Sequence, residues 1–200
     1  MRKISQLLLS CTILFFTCVV PSNANAQIRR EEVEAYAALL NHLSIEYASQ
    51  ASIIIRSKTT DLSPHILSNS VSEIKRLLPE ATEYVITDLL HADKQQSNFE
   101  IPVRFVRSEL KFAMLSQQTY FDIFSESRTL EESWKLFYSR YPKTTGLFSF
   151  SRAGIDLEKK QVLFTYARSA GGRAGSGYLV LMQQKWWRWE VARIANIWIS

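Results

Sequence analysis

Cysteine is almost missing from this chain of 200 residues. Only Cys11 and Cys18 occur, both within the first 26 residues. Beyond that segment no disulfide can form, and no thiol is present to act as nucleophile or metal ligand. Histidine is as scarce: His42, His65 and His91 are the whole set. His42 and Glu46 stand four apart on a helical pattern, which a metal can use, but no third ligand is suggested nearby and no His-Glu-x-x-His occurs. The histidines therefore read as surface or capping residues, and no metal or cofactor is expected. His91 near a helix end suits a partly positive side chain. Also missing are a Gly-Lys-Ser/Thr phosphate loop, a Gly-x-Ser-x-Gly nucleophile elbow, internal repeats and low-complexity tracts. No uninterrupted run of about 20 apolar residues is present, as a membrane span needs.

What the first 26 residues hold is an address. Arg2 and Lys3 precede an apolar run from Leu7 to Val20, Pro21 closes it, and Ala24-Asn25-Ala26 has the small-x-small pattern of a cleavage site. This pattern reads as a secretory signal peptide over 1–26, with the remaining chain starting at Gln27. The rival readings are an uncleaved anchor and a lipoprotein modified at Cys11 or Cys18. Export predicts a periplasmic or secreted protein without a membrane span after cleavage. Removing 26 of 200 residues leaves 174, one domain over 27–200, large enough to bury roughly 70% of its unfolded surface without disulfides. The leader takes two of the 24 basic residues and none of the 19 acidic ones, so the net charge falls from +5 to +3. A mild, mixed excess of this kind is an ordinary solvated surface, and no nucleic-acid partner is expected.

Residues 29–47 predict a helix, because Val33, Tyr36, Ala37, Leu40, Leu43 and Tyr47 recur at three- and four-residue steps. Ile53-Ile54-Ile55 predicts a buried strand. Residues 58–69 read as a loop. Ser70 and Glu73 have capping-box spacing before a short helix that Pro79 stops. Residues 80–91 read as another helix and 93–98 as an exposed loop. Residues 103–115 read as extended. Ser116 is a helix cap, and Thr129 with Glu132 forms a second capping box before a helix that ends at Pro142. Residues 146–152, 161–169, 177–184 and 187–199 read as strands, with turns at 154–160 and 183–186. The resulting class is α+β: N-terminal helices followed by a C-terminal four-stranded antiparallel meander.

Four of the six glycines lie between Gly171 and Gly177. The stretch reads as a wide, flexible hairpin connection, or alternatively as an anion-binding loop with Arg173 beside backbone N–H groups. Arg152, Arg168 and Arg173 would share one region if the strands around them pair, making a site for a carboxylate or phosphate. Strand alternation places Trp187 and Trp189 in the core, and Trp186 and Trp198 on a face available to a partner. The binding candidates are thus Arg152, Arg168, Arg173, Tyr178 and Trp198, and no catalytic residue is assigned.

Tyr141-Pro142, Gly146, Ser151-Arg152-x-Gly154, the glycine-rich stretch, Gly177-Tyr178 and the closing Trp198-Ile199-Ser200 together resemble a family of small exported bacterial proteins of uncharacterised function. The likeness reaches upstream to Phe124 and Trp134-x-x-Phe137-Tyr138. Family members often carry a Cys-Gly-x-x-Cys-Gly pattern where Ala170 and Ala174 stand here, so the resemblance implies a lost staple or redox pair. It implies no activity. The expected function is an exported, non-enzymatic binding or accessory protein of the bacterial envelope, partnered by an envelope protein or small ligand. The alternative is an envelope hydrolase that uses carboxylates or Ser176.

Overall fold

A computed structural model describes residues 27–47, 52–61, 70–106 and 111–200. The leader, His65 and the side chain of Glu46 lie outside the described residues, as does most of the expected 58–69 loop. Five helices are described: α1 (Arg30–Tyr47), α2 (Val71–Leu77), α3 (Glu83–Ala92), α4 (Gln117–Ile123) and α5 (Leu130–Arg140). Seven strands accompany them: β1 (Ser52–Arg56), β2 (Phe112–Leu115), β3 (Thr144–Phe150), β4 (Gly154–Asp156), β5 (Gln161–Gly171), β6 (Ala174–Lys185) and β7 (Arg188–Ile199).

All seven strands form one sheet in the order β2-β1-β3-β5-β6-β7, with β4 attached to β5. This overturns the expected arrangement of helices first and a four-stranded antiparallel meander last. β1 runs parallel to both β2 and β3, whereas β3, β5, β6 and β7 pair antiparallel. Parallel neighbours cannot be joined by a tight hairpin, so the chain must cross over between them. The α2–α3 and α4–α5 segments make those crossovers, which is why helices fall between strands.

The sheet is covered on both faces. On one, Tyr36, Leu39, Leu40 and Leu43 of α1 pack with Phe148, Phe150, Phe164, Val180 and Met182. On the other, Ile74 of α2, Leu78 just after it, and Val85, Ile86 and Leu89 from α3 pack with Leu163, Leu179 and Leu181. Trp134 and Phe137 of α5 cover Ile54, Leu115 and Leu147 nearer the parallel edge. Consecutive residues of β5 are buried, as expected of a strand covered on both faces.

Local signals were fulfilled unevenly. The Thr129–Glu132 capping box forms in full, and Ser116 caps α4 by accepting from Thr119 N. Ser70 precedes α2, but its side chain caps nothing and instead bonds Ser72 Oγ. Within 103–115, Val103–Phe105 is a 3₁₀ turn and only Phe112–Leu115 is a strand; 107–110 lie outside the described residues. Gly154–Asp156, expected in a turn, is a strand, because Gly154 lets α3 approach it directly. A Cβ there would stand 2.5 Å from Leu89 N. The glycine-rich stretch is no wide loop: it belongs to β5 and β6, which Gly172 and Arg173 join in a two-residue turn.

Candidate functional site

The five expected binding residues do not form one site. Arg152 follows β3 and is 4% exposed. Its guanidinium grips Glu32 of α1 with two bonds, Nε to Oε2 at 2.9 Å and Nη2 to Oε1 at 2.8 Å. Its Nη1 donates to Ser97 Oγ and its Nη2 to Gln27 O. Burial pushes the Glu32 carboxyl up, but the bonds and charge of Arg152, with amide donors from Ala153 and Arg29, hold it below its ordinary range. Arg29 extends the network to Asp88 of α3, which also accepts from Ile155 N at 2.8 Å. Arg152 is a core ion-pair partner rather than a surface ligand group.

Trp198 and Tyr178 lie on opposite faces. The Trp198 indole rests on β6 where Gly175 and Gly177 have no side chain, and a Cβ on Gly177 would overlap the indole nitrogen. Alternation then sends Tyr178 to the α1 face, where it stacks on Tyr166 at 4.8 Å. Arg168 is on that face too, over the Tyr47 ring and bonded through Nε to Thr145 O. Arg168, Ser176 and Tyr178 line a shallow groove of about 310 Å³ with Ile199. Among the described residues, no histidine or carboxylate lines it. Arg173 is exposed in the β5–β6 turn.

The more developed cavity was not anticipated. A groove of about 740 Å³ opens between α1, the 3₁₀ turn and the start of the β6–β7 hairpin. Arg30, Asn41 and Glu34 line it from α1, Arg104 and Phe105 from the 3₁₀ turn, and Trp187 to Trp189 from the hairpin. Arg30 pairs with Glu34 at 2.6 Å, the one carboxylate of the lining. Arg104 leans over the Phe105 ring at 5.1 Å. Trp189 is 8% exposed, and its Nε1 is buried without a hydrogen-bond partner.

The hairpin that walls this groove differs from expectation by a small shift. The turn is at Trp186 and Trp187, between the paired Lys185 and Arg188, and not at 183–186. Trp187, expected in the core, is 93% exposed, and Trp186 is 91% exposed. Both have positive φ, 46° and 72°, the signature of a type I′ turn that asparagine and glycine ordinarily occupy. Exposed tryptophan in a left-handed conformation contributes nothing visible to the fold.

The larger groove offers flat apolar surface from Phe105 and Trp187 and an excess of guanidinium groups over the carboxylate of Glu34. Among the described residues no group of three His, Cys, Asp or Glu side chains could hold a metal. Among them, too, no helix is long and apolar enough to cross a membrane. The groove's signal in the sequence was the Trp186–Trp189 cluster, but Arg30, Arg104 and Phe105 carried none, because only the packing of α1 against β7 brings them together. Comparison with protein-family models, curated proteins and solved structures returned no match.

Proposed function

We propose that this protein is an exported, non-enzymatic binding or accessory protein of the bacterial envelope, and that its ligand occupies the groove between α1 and the β6–β7 hairpin. The observation that carries the reading is the groove's lining, in which three guanidinium groups and the exposed Trp187 ring stand against the carboxylate of Glu34. Arg30, Arg104 and Arg188 outnumber Glu34, which favours an anionic ligand rich in acceptor oxygens. Trp187 and Phe105 supply apolar surface for its carbon skeleton. The signal-peptide-like pattern of residues 1–26 supports the envelope location.

The test is retention of envelope-extract components on the immobilised protein, identified by mass spectrometry, with Arg30→Ala and Arg104→Ala beside the wild type. A component held by the wild type and lost about tenfold or more by Arg104→Ala is expected, the cost of one unmade hydrogen bond to a charged group. Equal retention by all three proteins would remove the groove as the site.

A further inference from the structure

Two turns meet at one end of the sheet. The β4–β5 turn and the β6–β7 hairpin are tied together, Gln183 Nε2 donating to Lys159 O and Gln184 N to Lys160 O, each at 2.9 Å. Three large apolar side chains stand out from this end: Leu157, 67% exposed, with Trp186 and Trp187. Around them are Lys159, Lys160, Lys185 and Arg188. Three acids accompany them, the buried Asp156 accepting from Lys159 N, Glu158 bonded to Lys159 and Glu190 at 3.7 Å from Lys185, so the four cations remain in excess by one. Lys160, Trp186 and Trp187 all hold positive φ. A hairpin turn needs only small residues there, so the tryptophans stand against local backbone preference.

We propose that this end of the sheet docks on an anionic lipid surface, with Trp186, Trp187 and Leu157 entering the headgroup region and the surrounding cations facing lipid phosphates. The chemistry fits on both counts. Indole rings favour the membrane–water interface, where an apolar body and a polar N–H are both satisfied. Each cation near an anionic surface strengthens adsorption about fivefold at low salt. Both rings project from a turn and are more than 90% exposed, the shape for entering a surface, and Trp186 is not part of the groove lining. The inference rests on the envelope location proposed above and not on the groove.

The experiment is co-sedimentation of the exported protein with phosphatidylglycerol-containing vesicles and with pure phosphatidylcholine vesicles, at low and high salt. The expected result is binding to the anionic vesicles that weakens with salt, with a blue shift of tryptophan emission. Trp186→Ser, which does not touch the groove, should weaken it about tenfold. Trp186→Asn/Trp187→Gly should abolish it without lowering the melting temperature, because Asn-Gly suits the turn. Arg104→Ala, which alters the groove and not the two turns, should bind vesicles nearly as the wild type does, which separates this inference from the groove reading. A wild type that stays in the supernatant, or a double variant that sediments as well as the wild type, overturns the proposal. Capture by a soluble envelope polyanion but not by vesicles also overturns it, in favour of a polymer ligand.

Discussion

Glu32 is a carboxylate with no exposed surface, and its two oxygens accept five hydrogen bonds, from Arg29, Arg152 and Ala153. Such a group is held by its partners rather than by solvent. Glu32→Gln takes away the carboxylate that the buried Arg152 guanidinium grips with two bonds, and the expected loss is about 3–5 kcal/mol in urea unfolding. Replacing both members, Glu32→Leu with Arg152→Met, should recover most of that loss, since apolar residues of similar volume substitute well for buried pairs. The double variant should also keep its ligand, because Arg152 serves the core. Tyr36 stands beside this pair with its hydroxyl donating to Ser151 O at 2.7 Å. Burial, and then the Glu32 charge, push its phenol well above the ordinary range, so it stays neutral. At this scale the sequence was least legible: nothing in the type or spacing of Arg152 distinguishes a guanidinium turned inward from one turned outward.

Among the elements, α3 shows how local and tertiary demands meet. Thr82 caps it by accepting from Val85 N and donates its own hydroxyl to Asp156 Oδ2 at 2.7 Å. One side chain therefore starts the helix and ties it to β4. The helix then lies so close to β4 that only glycine fits at position 154. Gly154→Ala forces the backbone around Leu89 to move and should cost about 1–3 kcal/mol, read as a lower melting temperature. The helix ends at Pro79 and Pro142, the Thr129–Glu132 box and the α1 face were legible because each depends on residues within one or two turns. The β6–β7 turn was not. A shift of its position exchanges which side chains face the core, so Trp187 moved from an expected core place to the tip.

For the whole molecule, the ion-pair network joining α1, the β3–β4 connection and α3 sets an acid limit. Glu32 titrates below its ordinary value of 4.5 in the folded protein. A depressed carboxylate contributes stability that is present above the unfolded value and is lost as pH falls through the folded one. The melting temperature should therefore hold steady near neutrality and fall below about pH 4.5, and this acid slope should flatten in the Glu32→Leu/Arg152→Met protein. Residue order by itself determined most helices with their caps and stops, and the existence of most C-terminal strands, because hydrophobic period and capping act over a few neighbours. Tertiary structure alone decided that β1 would join the sheet in parallel between β2 and β3, that Arg152 would turn inward onto Glu32, and that α1, the 3₁₀ turn and the tryptophan hairpin would enclose a groove. Those outcomes depend on contacts between residues far apart in the chain, whose energies no local pattern encodes.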